Sequence, residues 1–316
     1  MSDAPRSSTS PVTALGGIVV AGIIWGTIPL VLRSADGSSL VKVFFRVFFA
    51  GIGIACWMAT TGRLAELRGL GTRKLAQVAV QGAILTVNWV LFLTALDLTN
   101  VATAELLAYT GPVFVALLAP FVIKERFRAR VLVPLSLSLA GIALILAPQG
   151  LGVAGSKQLL GAGLAFLSAL TYATLLLRSK KLLHGISGGA LMLIEYTVAS
   201  ALLLPFAMWE YARGHGPSTP AAYAALLCLG LVQTALAGII FLHGLRRLRT
   251  DSAAILTYAE PASAVVFAAL FLGERLTWWT VVGGGLVVVA GLVVARMERS
   301  SLLEPVPIEA AGTEPT

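Results

Sequence analysis

The most regular feature of this 316-residue sequence is an alternation of long apolar runs with short polar connections. A helix needs about 20 consecutive apolar residues to cross a hydrocarbon core of about 30 Å. Ten runs reach that length, which predicts an all-α polytopic membrane protein with ten membrane-spanning helices. The predicted spans are residues 12–33, 38–60, 75–97, 101–123, 130–148, 159–178, 187–209, 220–245, 251–272 and 277–296.

One stretch of the sequence occurs twice. Residues 104–127, AELLAYTGPVFVALLAPFVIKERF, match residues 253–276, AAILTYAEPASAVVFAALFLGERL, at a constant offset of 149 residues. Apolar identities are common between membrane helices, but a Tyr, a Pro and a Glu-Arg pair in one register indicate an internal duplication. We therefore predict two five-helix repeats, residues 12–148 and 159–297, between a cytoplasmic N-terminal tail at 1–11 and a disordered cytoplasmic C-terminal tail at 300–316.

The odd number of helices in each repeat has a topological consequence. The second repeat must enter the membrane from the face opposite the first, so the two repeats are predicted to be inverted about a pseudo-two-fold axis in the membrane plane. Many secondary transporters share this architecture and bind their substrates near the midplane between the repeats. The step from this architecture to transport is an analogy between folds.

Composition and charge agree with a membrane location and predict an orientation. The chain is 57% hydrophobic and 12% charged, whereas about 25% of a typical soluble domain is charged. If the N-terminus is cytoplasmic, 17 of the 23 Lys and Arg residues fall on cytoplasmic segments and four on the external side. Cytoplasmic loops carry such an excess of basic residues. Both termini are therefore predicted to be cytoplasmic, and the net charge of +8 does not indicate nucleic-acid binding.

Several ionisable residues lie inside the predicted spans, where each costs about 2.5–3.5 kcal/mol on insertion scales. Arg46, Glu195 and Glu260 are expected near the midplane, and Glu105 closer to the outer face. The repeat offset places Arg46 opposite Glu195, so one interpretation is a buried ion pair that fixes helix packing. The other is that Arg46 receives a substrate carboxylate, with Glu195 or Glu260 as its competitor or as a proton carrier. Proton coupling is chemically reasonable because burial disfavours a charged carboxylate.

Further polar and aromatic residues lie on the same helices. Each by itself is as consistent with helix–helix packing as with binding, but their concentration on helices 1–4 and 6–9 predicts a central cavity. Helices 5 and 10 carry almost no polar group and are expected to form scaffold at the periphery or at a homodimer interface. The predicted substrate-binding residues are Trp25, Arg46, Asn88, Trp89, Tyr109, Tyr172, Gln233 and Tyr258, with Glu105, Glu195 and Glu260 as coupling or charge-pairing residues.

Over residues 12–297 the sequence resembles the ten-helix EamA-type proteins of the drug/metabolite transporter superfamily. The resemblance is carried by a Trp-Gly element in helix 1, an Arg in helix 2 and the paired Pro…Glu-Arg segments. It implies a bacterial inner-membrane carrier, often an exporter of amino acids or related metabolites. The residues that match family-typical positions are Trp25, Arg46, Pro112, Glu125, Pro261 and Glu274. Glu105, Glu195 and Glu260 have no assigned place in the family pattern.

The leading hypothesis is therefore a secondary transporter that exports a small metabolite by alternating access, with an uptake carrier or a multidrug-type efflux protein as alternatives. The chain has no G-x-x-x-x-G-K-[ST] motif, so ATP coupling within it is not expected. His184, His215 and His243 form no ligand cluster and no nucleophile motif stands out, so no metal, cofactor or enzymatic activity is predicted. A channel needs rings of repeated polar groups, which two dissimilar halves do not supply. The predicted partners are a small-molecule substrate, protons, the lipid bilayer and a second copy of the chain.

Overall fold

The computed structural model describes residues 11–150, 152–153, 155–273 and 276–303. Within these residues, ten helices are long and apolar enough to cross a membrane, which confirms the predicted ten-helix all-α architecture. They are helix 1, Pro11–Gly26 and Ile28–Leu32; helix 2, Ser39–Thr60; helix 3, Thr72–Leu98; helix 4, Val101–Ala108 and Gly111–Val122; helix 5, Leu132–Leu146; helix 6, Gly155–Leu182; helix 7, Gly188–Ala212; helix 8, Pro220–Cys228, Leu229–Leu236 and Ala237–Arg247; helix 9, Thr250–Leu256 and Ala259–Leu272; and helix 10, Trp278–Leu303.

The two predicted tails and one repeat motif fall largely outside the described residues. These are residues 1–10, residues 304–316 and the second Glu-Arg pair at 274–275. Helix 10 continues to Leu303, so the start of the predicted C-terminal tail at residue 300 belongs to this helix.

Three helices are interrupted close to a proline, at Thr27 in helix 1, Thr110 in helix 4 and Thr257 in helix 9. Proline has no backbone N–H and collides with the preceding turn, so the hydrogen-bond ladder opens there. Each threonine hydroxyl donates to the carbonyl oxygen three residues earlier, at 2.6, 2.6 and 2.7 Å respectively. In helices 1 and 4 the same carbonyl oxygen also accepts from the threonine backbone N–H, so the hydroxyl adds a second hydrogen bond at the break. The repeated prolines, Pro112 and Pro261, thus mark the breaks in helices 4 and 9.

Each half of the chain packs mainly against the other half. Helix 1 packs on helices 8 and 9, and helix 6 packs on helices 3 and 4. Helix 2 packs on helices 7 and 8, and helix 7 packs on helices 2 and 3. Exchanging helices 1–5 with helices 6–10 leaves this pattern unchanged, as expected for two copies of one arrangement of helices.

Helices 5 and 10 pack against each other through a pair of glycines. A Cβ atom on Gly141 would lie 2.5 Å from the Gly283 carbonyl oxygen, and one on Gly283 would lie 2.4 Å from the Gly141 carbonyl oxygen. Only glycine permits two helix backbones to approach this closely.

Equivalent contacts relate helix 2 to helix 7. A Cβ atom on Gly230 of helix 8 would lie 2.9 Å from the Arg46 carbonyl oxygen. A Cβ atom on Gly82 of helix 3 would lie 2.8 Å from the Glu195 carbonyl oxygen. Arg46 and Glu195 therefore occupy matching positions in the two halves.

Helix 8 differs from its counterpart, helix 3, by a π-helical segment at Leu229–Leu236. The residues that precede the two helices, Gly71 and Thr219, are 148 apart, whereas Phe92 and Phe241 farther along are 149 apart. The additional residue is accommodated by the π segment, whose backbone bonds span five residues instead of four. Such segments occur frequently at functional sites.

Candidate functional site

The breaks in helices 4 and 9 meet at the repeated tyrosines. The rings of Tyr109 and Tyr258 lie edge to face with centroids 6.0 Å apart, and the Tyr258 hydroxyl donates to the Tyr109 carbonyl oxygen at 2.5 Å. Tyr172 of helix 6 covers the start of the second half of helix 4, where a Cβ atom on Gly111 would lie 2.6 Å from the tyrosine ring. The two breaks and helix 6 thus form one aromatic cluster.

Arg46 is held on one side only. Its Nε–H donates to the Thr234 hydroxyl at 2.7 Å, and that hydroxyl donates to the Leu229 carbonyl oxygen of the π segment at 2.8 Å. The guanidinium carbon lies 5.5 Å from the centroid of the Trp89 ring, which is within cation–π range. Among the described residues, none offers a carboxylate within ion-pair distance, and the two terminal nitrogens make no hydrogen bond. The terminal nitrogens are therefore available to an anion.

Two carboxylates share the region around Arg46. Glu260 lies in the first turn of the second half of helix 9, close enough to interact electrostatically with both Arg46 and Glu105. Within the described part of the chain, neither glutamate side chain makes a hydrogen bond or an ion pair. Helix 1 approaches this turn closely, because a Cβ atom on Gly26 would lie 2.9 Å from the Glu260 carbonyl oxygen. The fold therefore fixes the backbone at Glu260 and leaves its carboxylate unpaired.

These side chains are deep in the molecule but not sealed. Five of them are largely surrounded by protein, yet each keeps part of its surface accessible; they are Arg46, Glu105, Tyr109, Tyr172 and Glu260. We infer from this combination that these side chains line an internal space that water or a solute can enter. This space lies between helices 2, 4, 6 and 9 and contains one cation, two carboxylates and aromatic rings.

Three predicted substrate-binding residues use their side-chain N–H groups in contacts between helices. The Trp25 indole donates to the Gln233 carbonyl oxygen at 2.8 Å, and the Gln233 amide donates to the Thr27 hydroxyl at 3.0 Å. Both bonds join the break in helix 1 to the π segment of helix 8. Asn88 of helix 3 donates to the Ser168 carbonyl oxygen of helix 6 at 2.7 Å. These contacts hold pairs of helices at fixed positions around the cavity.

Glu195 lies apart from Arg46. Glu195 is 7% exposed and lies where helix 7 crosses helix 3 at Gly82. The polar groups that act on its carboxylate are Gln81 and Arg178. Among the described residues, the titratable groups that interact electrostatically with Arg46 are Tyr196 and Glu260. The structure thus brings Arg46 and Glu260 together and does not pair Arg46 with Glu195.

Two residues of the site, Thr234 and Tyr196, are absent from the predicted set. Thr234 anchors Arg46, and its position beside Gln233 in the middle of helix 8 was a usable sequence signal. Tyr196 is 8% exposed and interacts with Arg46 from helix 7. Its sequence position, one residue after Glu195, gave no indication of this contact.

Loop contacts close the bundle at both ends. The Asp36 carboxylate accepts hydrogen bonds from the hydroxyl of Ser218 and from its backbone N–H, the latter at 3.0 Å. These bonds hold the pKa of Asp36 below its ordinary value of 3.8. At the other end, Glu66 accepts a hydrogen bond from the Ser187 hydroxyl, and Lys74 donates to the carbonyl oxygen of residue 185 at 2.6 Å. These contacts tie neighbouring loops and helices together at the two ends of the bundle.

Comparisons with known proteins agree with this architecture. The model of the EamA-like transporter family matches residues 12–147 and again residues 159–296. An uncharacterized transporter of Archaeoglobus fulgidus is 27% identical over 290 residues, which cover 89% of this chain and 95% of the relative. The uncharacterized transporter YxxF of Bacillus subtilis is 26% identical over 99% of this chain and 97% of its own length. Protein RarD of Escherichia coli is 24% identical over 81% of this chain and 85% of its own length.

A solved crystal structure shares the fold. It is 19% identical in sequence, covers 92% of this chain and 99% of the solved chain, and superposes with a TM-score of 0.80. The duplicated match to one family model covers nearly all ten membrane helices. The chain belongs to the EamA-like transporter family.

Proposed function

We propose that this membrane transporter is a secondary carrier that exports amino acids or related small metabolites by alternating access. The observation that carries the proposal is the set of unpaired charges in one cavity. Arg46 offers its terminal nitrogens, and Glu260 and Glu105 offer carboxylates, with no ion pair between them among the described residues. A site with separated opposite charges suits a solute that carries both an anionic and a cationic group.

The residues around these charges support the same class of substrate. A planar guanidinium binds a carboxylate through two parallel hydrogen bonds, so Arg46 would receive the substrate carboxylate. Glu260, close to Arg46 but beyond ion-pair distance, would receive the ammonium group. The rings of Trp89 and Tyr109 supply apolar surface beside both groups. A small solute with a carboxylate, an amine and an apolar side chain would meet all three features.

Alternating access requires the two halves to move around a site that stays between them. The interleaved packing of the halves provides such an arrangement, because each half contributes to both sides of the cavity. Carriers with inverted repeats work by rocking one bundle against the other around a fixed midplane site. The distribution of basic residues supports an orientation with both termini in the cytoplasm, and the bacterial relatives support an inner-membrane location. With this orientation, export carries the metabolite out of the cytoplasm.

Counterflow separates a carrier from the other classes of protein. The purified protein would be reconstituted into vesicles loaded with an unlabelled mixture of L-amino acids and supplied with a trace of the radiolabelled mixture outside. A carrier gives saturable, transient accumulation of label. A linear leak would instead identify a channel, and conversion of the label to a new compound would identify an enzyme.

A matched set of ligands tests the charge arrangement. L-Leucine carries both charges, 4-methylpentanoate lacks the amine and 3-methylbutylamine lacks the carboxylate. The proposal predicts that, of these three, only L-leucine raises the thermal unfolding temperature of the purified protein. If the site prefers another side chain, an amino acid with that side chain is expected to raise it instead. Equal stabilisation by the amine alone would favour a multidrug-type efflux protein. The direction of transport would be read from the release of label by preloaded cells that express the protein, since an uptake carrier would retain the label.

A further inference from the structure

Glu195 is a buried carboxylate that the substrate site does not use. It is 7% exposed, and its Oε1 atom has no hydrogen-bond partner among the described residues. Leaving a buried carboxylate oxygen unpaired is costly unless the group is protonated or meets its partner in another state. The buried, unpaired oxygen of Glu195 therefore favours a bound proton.

A file of polar side chains leads from Glu195 to one face of the membrane. Gln81, which acts on Glu195, accepts a hydrogen bond from Arg178 Nε–H at 2.9 Å and donates to the Ser179 hydroxyl at 2.9 Å. Arg178 also donates to the Gln77 carbonyl oxygen at 2.9 Å, and Gln77 is exposed. The file thus ends near the face that carries the loop between helices 2 and 3. Positive-inside topology predicts that this face is cytoplasmic.

The charged groups around Glu195 favour a proton over a metal cation. Helix 6 contributes Arg178, helix 3 contributes the neutral Gln81, and Tyr196 is the adjacent titratable residue on helix 7. The histidine of helix 8, His243, is on the exposed surface. A metal cation would need several oxygen ligands and would be repelled by Arg178, whereas a proton needs only one carboxylate oxygen.

The duplication supplies a way to expose Glu195 on the other side. Glu195 and Arg46 occupy matching positions against Gly82 and Gly230. In the state described here, Arg46 keeps accessible surface in the cavity while Glu195 is sealed. If the two halves exchange conformations during transport, Glu195 acquires the access that Arg46 has now.

We propose that Glu195 is the protonation site that couples transport to a proton gradient, and that it takes up its proton from water that enters from the membrane face on the side of Gln77, Arg178 and Gln81, since arginine and glutamine do not relay protons themselves. One proton binds a carboxylate oxygen from that side, is retained in the sealed state and returns to water when Glu195 opens to the cavity, and no other bond changes. This inference rests on the proposed carrier function, and it separates the coupling site from the substrate site at Arg46 and Glu260.

The first test compares exchange with gradient-driven transport in vesicles. The radiolabelled L-amino acid mixture would be used with and without an imposed pH gradient, for the wild-type protein and for Glu195→Gln. With one proton per substrate, accumulation by the wild type can reach about tenfold for each unit of pH difference. Glu195→Gln should keep exchange and lose this accumulation. Loss of exchange together with accumulation, in a variant that unfolds at the wild-type temperature, would overturn the coupling role, as would retention of both.

A second test needs no substrate. Dicyclohexylcarbodiimide modifies protonated carboxyl groups in apolar surroundings, and mass spectrometry of the digested protein locates the label. Labelling at Glu195 should fall as the pH rises, and Arg178→Gln should shift this dependence while leaving the unfolding temperature close to wild type. Labelling that is absent or independent of pH would overturn the assignment. If wild-type vesicles show no exchange, the carrier proposal fails, and the labelling result still decides whether Glu195 binds a proton.

Discussion

Replacement of Arg46 by glutamine is the most direct probe of the cavity. The change removes the positive charge and the planar fork, and keeps a shorter polar side chain. Since the terminal nitrogens of Arg46 have no hydrogen-bond partner among the described residues, the loss of these two donors falls on bound substrate, and the change also removes the Nε–H bond to Thr234. A charge-assisted hydrogen bond contributes about 1.5–3 kcal/mol, which corresponds to a rise of about 10- to 150-fold in the half-saturation concentration. Arg46→Lys should give a half-saturation concentration between those of the wild type and Arg46→Gln, because lysine keeps the charge but loses the Nε–H bond to Thr234.

The assay is the concentration dependence of amino-acid exchange in vesicles, with Lys42→Gln as the matched control. Lys42 lies one turn before Arg46 on helix 2 and acts on Asp36 in the loop at the membrane face. Its replacement removes the same charge from the same helix without touching the cavity contacts, and should leave the half-saturation concentration unchanged. If Arg46→Gln folds normally and keeps the wild-type value, or if Lys42→Gln raises it equally, Arg46 does not bind the substrate.

Two further predictions concern stability. Gly283→Ala places a Cβ atom 2.4 Å from the Gly141 carbonyl oxygen, so it should lower the free energy of unfolding by about 1–3 kcal/mol. The control, Gly284→Ala, places its Cβ atom in open space and should not lower it. Unfolding in mixed detergent micelles would measure both variants, and equal effects would refute the packing argument. The pKa of Asp36 is lowered in the folded protein by Ser218, so its contribution to stability is present above the ordinary value of 3.8 and is lost as the pH falls through the folded value. Ser218→Ala should therefore lower the melting temperature at about pH 7 and much less at about pH 3, while a deficit that is independent of pH would contradict the assignment.

Much of the architecture is readable from the sequence because hydropathy and proline act locally. Runs of about 20 apolar residues determine the number of membrane helices, and the repeated Pro112 and Pro261 mark the breaks in helices 4 and 9 because proline removes a backbone N–H from the helical ladder. A further local signal was available at the starts of helices 2 and 7. Ser38 and Ser187 cap these helices 149 residues apart, which sets the register that relates Arg46 to Glu195.

The partners of the buried polar groups were decided only by the tertiary structure. The repeat offset made Arg46 and Glu195 equivalent in the two halves. Two residues that are related by a two-fold axis need not be in contact, and the structure places Arg46 near Glu260 instead. Asn88 and Gln233 looked like substrate ligands, but their amides bond to neighbouring helices. The sequence gives the depth of a side chain along its own helix through the rise of about 1.5 Å per residue. The rotation and crossing of one helix relative to the next depend on close packing between them, and these decide which charges are paired and which remain free to bind a substrate.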